Sequence, residues 1–190
     1  MRSIDTGRPS RRLFAGLVLT GAALLASGGG LAQAADAATV ERGRYLARAG
    51  DCVACHTADK GVEMAGGRSL ETPFGKLYST NITPDRETGI GKYSFEQFDR
   101  AMRKGVAADG HNLYPAMPYP SYARLTAEDM RALYAYLMQG LAPVKQANKP
   151  SDMRWPFNMR WGLSLWNWAF LDATPFTPDA KKDAVWNRGA

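Results

Sequence analysis

The sequence predicts an all-α domain of about 100 residues whose helices are joined by long, irregular loops. Three segments have helical caps or apolar stripes, and stretches rich in Gly and Pro separate them. In a domain of this size, such long connections indicate that something other than polypeptide fills part of the core. Of the 190 residues, 45% are hydrophobic and 22% are charged, which excludes an intrinsically disordered chain.

The first 34 residues have the pattern of a secretory signal peptide. Four arginines precede an apolar stretch at residues 13–26, and small residues at 32–34 offer a cleavage site, with a second site at 35–37. The apolar stretch has 14 residues, fewer than the roughly 20 that span a bilayer. We therefore expect cleavage rather than a membrane anchor, and a periplasmic mature protein.

The net charge of +6 is distributed unevenly along the chain. Residues 1–34 contain four Arg and one Asp, so their removal leaves +3. Residues 35–144 carry 13 basic and 13 acidic side chains, whereas residues 145–190 carry seven basic and four acidic ones. The neutral body excludes a nucleic-acid-binding face of the usual basic kind.

The first predicted helix covers residues 40–49, with Thr39 as its N-cap and Gly50 as its end. Residues 61–84 are rich in Gly and in turn-forming residues. Extended segments on either side of residues 72–75 predict a small β-hairpin there.

Two further helices have clear N-terminal signals. Residues 94–104 begin with the capping-box pair Ser94 and Gln97. Residues 126–139 begin with Thr126 in a similar pattern and continue as an apolar stripe. A glycine follows each of these helices, and a glycine at this position is a common helix end.

Cys52, Cys55 and His56 lie in the sequence CVACH, which is the attachment pattern for c-type haem. Two thiols three positions apart can add across the two vinyl groups on one edge of the porphyrin. The histidine that follows then lies beneath the iron as the proximal ligand. The motif therefore predicts one covalent haem c.

Other uses of these residues are less favoured. A zinc site would need Cys52, Cys55, His56 and His111, but neighbouring Cys55 and His56 can hardly both face one tetrahedral ion. A redox dithiol should follow a buried strand, whereas here a helix is predicted before the motif. A disulfide across two intervening residues would close too small a loop to stabilise the fold much. A dithiol oxidoreductase without haem remains a rival hypothesis.

Met117 is the predicted distal iron ligand. It lies in the loop 106–122, where Pro115 and Pro118 favour an extended backbone that can present a thioether to iron. A Met/His pair raises the reduction potential and blocks substrate access, which indicates electron transfer. The alternatives are a bis-histidine centre with His111, or an open iron at which His111 assists a peroxidase-like or thiol-oxidising enzyme.

All five tryptophans lie in the last 36 residues. As a helix, residues 158–171 would be apolar almost all round, with a narrow polar stripe of Arg160, Ser164 and Asn167, so we expect burial on most sides. At 1.5 Å per residue it would span about 21 Å, too short to cross a bilayer. The alternatives are packing on its own domain, docking a partner subunit or further haem domain, and lying in a membrane interface.

The order of helix, CxxCH, loop, helix, Met loop and C-terminal helix resembles class I cytochrome c. Segments 66–75, 78–85 and 113–122 more closely resemble the first haem domain of the cytochrome c subunits of membrane-associated bacterial alcohol, gluconate and sorbitol dehydrogenases. The resemblance implies Cys52 and Cys55 as thioether attachments, with axial ligands His56 and Met117. Six further candidates to line the haem pocket are Leu77, Tyr78, Asn81, Ile82, Tyr114 and Pro115.

The resemblance also implies an electron-transfer subunit, not an enzyme on its own, that passes electrons from a periplasmic dehydrogenase towards quinone or another cytochrome. Members of that family usually carry three haem domains, whereas this chain has one CxxCH. Because residues 186–190 resemble 40–44, we expect a fragment or truncated form, with a stand-alone monohaem carrier as the alternative. The expected regions are a signal peptide at 1–34, a cytochrome c domain at 38–141 and a Trp-rich basic extension at 142–190. We expect residues 145–190 of this extension to contact the dehydrogenase or further haem domains, or to lie peripherally on a membrane.

Overall fold

A computed structural model describes residues 35–189, and the predicted signal peptide at residues 1–34 lies outside the described residues. The helices of the described range are α1 (Ala37–Ala49), α2 (Cys52–His56), α3 (Phe95–Lys104), α4 (Tyr119–Tyr122), α5 (Ala127–Ala135, followed by a π-helical turn, Tyr136–Gly140), α6 (Gly162–Phe170) and α7 (Ala184–Gly189). The strands are β1 (Ser69–Thr72), β2 (Gly75–Tyr78) and β3 (Asp152–Met153). The domain is therefore mostly helical, with one small sheet.

Helix α1 begins three residues before the predicted start. Its N-cap is Asp36, whose carboxylate accepts hydrogen bonds from the Thr39 backbone N–H at 2.7 Å and from the Thr39 hydroxyl at 3.1 Å. The prediction of Thr39 as N-cap was wrong because Asp36 caps the free N–H groups almost a turn earlier. The helix ends as predicted, with the Gly50 N–H donating to the Leu46 carbonyl at 2.8 Å.

The caps predicted for α3 and α5 are confirmed. The Gln97 backbone N–H donates to the Ser94 hydroxyl at 3.2 Å, and the Ser94 N–H donates to the Gln97 side chain at 2.9 Å. The Thr126 hydroxyl accepts the Asp129 N–H at 3.1 Å. The turn at residues 136–140 is π-helical rather than a continuation of α5, a one-residue change in hydrogen bonding that apolar periodicity does not reveal.

The core lies between α1, α3 and α5. Helix α1 crosses α5 at Gly43, where a Cβ atom would lie 1.9 Å from the Ala132 carbonyl oxygen. The buried side chains of the main cluster are Ala47, Met64, Ile90, Phe98, Met102, Met130, Leu133, Tyr136 and Leu137. Cys52 and Met117 are partly buried against this cluster, so the motif and the Met loop border the same core.

The predicted hairpin is confirmed, and a third strand adds to it. Strands β1 and β2 pair antiparallel, with Ser69 opposite Tyr78. Strand β3 comes from the distant C-terminal segment and pairs with β2, with Gly75 opposite Met153. Gly75 has a φ of 134°, and a Cβ there would lie 2.3 Å from the Asp152 carbonyl oxygen, so only glycine allows this close approach.

The helix predicted at residues 158–171 is observed as the shorter α6. The expectation of burial on most sides was wrong, because no residue of α6 is fully buried and Trp168 is 87% exposed. The polar stripe faces the domain instead, since Arg160, just before α6, and Ser164 and Asn167 on α6 all hydrogen-bond to residues 104–119. No helix within residues 35–189 is long and apolar enough to cross a membrane.

Candidate functional site

The three motif residues lie on the short helix α2. This helix follows α1 after a two-residue corner in which Asp51 has a φ of 60°. Both cysteines are free thiols and are partly buried. Helical residues three apart share a face, so Cys52 and Cys55 present their sulfur atoms on one side. Attachment to the two vinyl groups of one porphyrin edge requires this arrangement.

A cavity of about 210 Å³ opens beside Cys52. Its lining is apolar apart from the hydroxyl of Tyr122, which donates to the Gly50 carbonyl at 2.5 Å. The lining residues are Leu46, Ala49, Gly50, Cys52, Met102, Tyr122, Leu125 and Leu133.

Burial around the cavity further favours the neutral forms of its two titratable groups. It raises the pKa of Cys52 to about 11 and the pKa of Tyr122 to about 12, because both groups lose water that would solvate their charged forms. A neutral thiol beside an apolar cavity fits the edge of a porphyrin, which is itself largely apolar.

The His56 ring is oriented by a backbone carbonyl. Its Nδ1 lies 2.7 Å from the Thr80 carbonyl oxygen, which can only accept, so Nδ1 carries the proton. Burial lowers the pKa of His56, although the Thr80 bond opposes this shift, and the ring is therefore neutral at neutral pH. The lone pair then belongs to Nε2, which is the arrangement of a metal-binding histidine with an oriented ring.

Met117 lies between two tyrosines in the loop before α4. Its backbone N–H donates to the Tyr114 carbonyl at 3.0 Å, and its carbonyl accepts the Tyr119 N–H at 2.7 Å. The side chain is partly buried and packs against the core that Cys52 also contacts. The loop thus brings a thioether to the same core as the motif, and its role as iron ligand stays a prediction.

His111, the alternative ligand, lies in an exposed turn. Its Nδ1 is 2.6 Å from the Asp109 carboxylate, and its side chain is 44% exposed. Within residues 35–189, no group of three or more His, Cys, Asp or Glu side chains is placed to hold a metal ion.

The six predicted pocket residues are not among those that line the cavity beside Cys52. Some already have protein partners: the Tyr114 hydroxyl donates to the Phe157 carbonyl at 3.0 Å, and the Lys149 ammonium lies 5.4 Å from the Tyr78 ring centroid. Pocket contacts thus stay predictions for Leu77, Tyr78, Asn81, Ile82, Tyr114 and Pro115.

Asn81 is buried and uses its polar atoms within the protein. Its side-chain N–H donates to the Val144 carbonyl at 2.7 Å, and its Oδ1 accepts the Thr83 N–H at 3.0 Å and hydroxyl at 2.7 Å. Its backbone N–H donates to the Asn148 side chain at 2.7 Å. Asn81 therefore anchors the segment 144–148 to the loop that also orients His56.

Six side chains of the cavity wall were not predicted as site residues: Leu46 and Ala49 of α1, and Met102, Tyr122, Leu125 and Leu133. The helical pattern contains a signal for Met102 and Leu133. Met102 and Leu133 lie on the apolar stripes of α3 and α5, and the cavity lies where these stripes meet. Tyr122 ends α4 and Leu125 lies in the turn after it, where the sequence predicts no helix.

Known proteins similar to this chain form a consistent group. The family model for cytochrome c matches residues 40–140. The chain is 58% identical over 156 residues to a gluconate 2-dehydrogenase cytochrome c subunit from Pantoea cypripedii, a match covering 82% of this chain and 35% of the relative.

Two further relatives have similar names. Identity is 51% over 151 residues with the cytochrome c subunit of an alcohol dehydrogenase (quinone) from Gluconobacter oxydans, covering 80% of this chain and 31% of the relative. It is 46% over 153 residues with a fructose dehydrogenase cytochrome subunit from Gluconobacter japonicus, covering 80% and 32%. The chain spans about a third of the length of these curated relatives.

Proposed function

The chain belongs to the cytochrome c family, and from this premise we propose that it transfers electrons through one covalently attached haem c. When bound, the haem supplies a one-electron couple between ferrous and ferric iron. The observation that most supports the proposal is that two thiols and an oriented imidazole share helix α2, whose first residue, Cys52, lines an apolar cavity.

Each site residue has a separate role in this proposal. Cys52 and Cys55 would hold the porphyrin through thioether bonds, and His56 and Met117 would supply ligands to its iron. The Thr80 carbonyl orients the His56 ring and makes it a stronger ligand, as hydrogen bonds to metal-bound histidines do. As an iron ligand, Met117 would leave no open position for a substrate, which suits electron transfer rather than catalysis.

We further propose that the protein acts as, or as part of, the periplasmic cytochrome subunit of an alcohol or sugar-acid dehydrogenase. In this role it is not itself the catalytic enzyme and passes electrons towards quinone. The names of its relatives support a dehydrogenase partner, and one of them names quinone. The predicted signal peptide supports the periplasm.

The aromatic side of the C-terminal segment is the proposed docking surface for that partner. This aromatic surface is exposed, and no acidic residue lies between Asp152 and Asp172. Aromatic side chains with few acidic neighbours are typical of the centres of protein interfaces. The side chains of the aromatic surface are Trp155, Phe157, Trp161, Leu165, Trp168 and Phe170.

Haem attachment can be tested by expressing the full chain with a cytochrome maturation system. We expect the pyridine haemochrome spectrum of c-type haem, one haem per chain, that resists acid–acetone extraction. The Cys52→Ser/Cys55→Ser variant should lose covalent haem because both thioethers are removed. A parent protein without covalent haem would overturn the proposal.

The distal ligand can be tested by replacing Met117. We expect Met117→Ala to lose the red-end ferric charge-transfer band and to have a lower reduction potential, because methionine ligation raises that potential. Met159→Ala is the matched control, since Met159 is a partly exposed methionine of the same chain. If the band persists in Met117→Ala, Met117 is not the distal ligand.

A further inference from the structure

We propose that the polar stripe of the C-terminal segment clamps the Met117 loop and thereby sets how firmly Met117 holds the iron. Arg160, Ser164 and Asn167 are positioning residues in this inference, which rests on the proposed role of Met117 as distal ligand. The Met117 loop is the segment between α3 and α4, residues 105–118, and Lys104 and Tyr119 flank it.

The C-terminal segment contacts Tyr114 and Tyr119, the two residues to which the Met117 backbone is hydrogen-bonded. The Met117 backbone is hydrogen-bonded to Tyr114 on one side and to Tyr119 on the other. The hydroxyl of Tyr114 donates to the Phe157 carbonyl at 3.0 Å, and the hydroxyl of Tyr119 donates to Asn167 Oδ1 at 2.7 Å. A displacement of Met117 therefore strains both of these contacts.

A second group of contacts holds the loop further upstream. The Asn112 amide donates to the Ser164 hydroxyl at 2.9 Å, and Arg160 Nη1 donates back to the Asn112 carbonyl at 2.9 Å. The Arg160 guanidinium also lies 4.4 Å from the Tyr114 ring centroid, within cation–π range. Arg160 therefore holds both the backbone and an aromatic side chain of the loop.

Asn167 connects both ends of the loop. While its Oδ1 accepts the Tyr119 hydroxyl, its Nδ2 donates to the Lys104 carbonyl at 3.0 Å, at the end of α3. Tyr119 is fully buried, and its ring also meets Trp166 edge-on at 6.4 Å between centroids. The Asn167 side chain thus connects the end of α3 to the start of α4.

The clamp acts on iron ligation because an external ligand can replace Met117 only when the loop moves away. Local openings of this kind are governed by the contacts that they break. Each neutral hydrogen bond lost should favour the open loop by roughly fivefold. A weaker clamp therefore makes the ferric iron easier to reach, while the motif residues and the cavity stay unchanged.

The test uses the full-length holoprotein and the double variant Arg160→Ala/Asn167→Ala. Imidazole is titrated into the ferric protein while the red-end charge-transfer band is recorded. We expect imidazole affinity to rise roughly 5- to 30-fold and the reduction potential to fall, with haem content unchanged. Tyr119→Phe should show a smaller rise, and its effect should not add to that of Asn167→Ala, because both remove the same bond.

The matched control is Arg154→Ala/Asn158→Ala, which removes the same residue types just before α6. Within residues 35–189, neither side chain makes a hydrogen bond or ion pair, so the control should behave as the parent. An imidazole affinity of the clamp variant within about twofold of the parent overturns the clamp. If that variant does not fold, Tyr119→Phe alone decides by the same readout, and an unchanged affinity again overturns it.

Met117→Ala separates failure of the clamp from failure of the proposed function. If this variant keeps the band, the distal assignment and the clamp both fall. If it loses the band while the clamp variants bind imidazole as the parent does, only the clamp falls.

Discussion

Two side chains, His56 in the motif and Tyr122 beside it, are each held by a single backbone carbonyl. The Thr80 carbonyl accepts from His56, and the Gly50 carbonyl accepts from Tyr122. Since the Thr80 side chain takes no part in its bond, the orientation of the His56 ring depends on the path of the backbone. A pattern of side chains therefore contains no direct signal for either contact.

The buried side-chain amide of Asn81 makes its hydrogen bonds to other residues of the protein, so we assign it a structural role. We expect Asn81→Ala to lower the free energy of unfolding by about 2–4 kcal/mol, because Thr83 and Val144 would lose buried hydrogen-bond partners. Urea unfolding of the holoprotein measures this change. Exposed Asn158→Ala is the control and should stay within about 0.5 kcal/mol of the parent. A loss of less than about 1 kcal/mol for Asn81→Ala would contradict the anchoring role.

The close crossing of α1 and α5 depends on the absence of a side chain at Gly43. In an open helix, Gly→Ala would stabilise by about 0.5–1 kcal/mol through backbone entropy. At Gly43 the added Cβ would lie 1.9 Å from a carbonyl oxygen of Ala132 and 2.6 Å from Cβ of Tyr136. Backbone and Cβ atoms cannot rotate away, so the clash outweighs the entropy gain.

Gly43→Ala should therefore destabilise the protein by about 1–3 kcal/mol, as overpacked cores do. Chemical denaturation of the holoprotein tests this. The matched control is Gly162→Ala at the first residue of α6, where a Cβ would meet no atom within 4 Å. That variant should be neutral or more stable by up to about 1 kcal/mol. Equal effects at the two glycines would mean that the close helix crossing is absent.

The C-terminal segment relates to the rest of the molecule in an unusual way. Its polar stripe contacts the domain, and the aromatic surface stays in solvent, the reverse of an ordinary amphipathic helix. This arrangement satisfies the hydrogen-bonding groups of the Met117 loop. It also leaves the aromatic surface exposed. Hydrophobic side chains scattered singly over a surface are ordinary, whereas a group of them is typical of an interaction site.

We expect Trp161→Ser/Trp168→Ser to weaken binding to a co-expressed dehydrogenase subunit at least about tenfold, because exposed tryptophans often dominate interface energies. Binding is measured by titration with the purified subunit. Stability should change by no more than about 0.5 kcal/mol, since both residues are exposed. Unchanged binding would exclude the aromatic surface as the docking site.

Much of the fold and site could be predicted because the responsible residues are close together in the chain. The CVACH spacing indicates a haem motif, the pairs Ser94–Gln97 and Thr126–Asp129 begin helices, and residues 72–75 form a hairpin turn. Where two nearby residues can fill the same local role, however, the sequence does not show which of them will do so. Asp36 took the capping role from Thr39 because both can reach the same free N–H groups.

Covalent spacing and helix caps act over a few residues, so the amino-acid order alone specifies the attachment motif, the three main helices and the hairpin. The other features join distant parts of the chain: strand β3 on β2, the Thr80–His56 bond, the cavity wall and the contact of α6 with the Met117 loop. They depend on which surfaces meet once the helices pack. The polar side of α6 faces inward because the buried hydroxyl of Tyr119 and the carbonyl of Lys104 need partners, a demand that exists only in the folded chain.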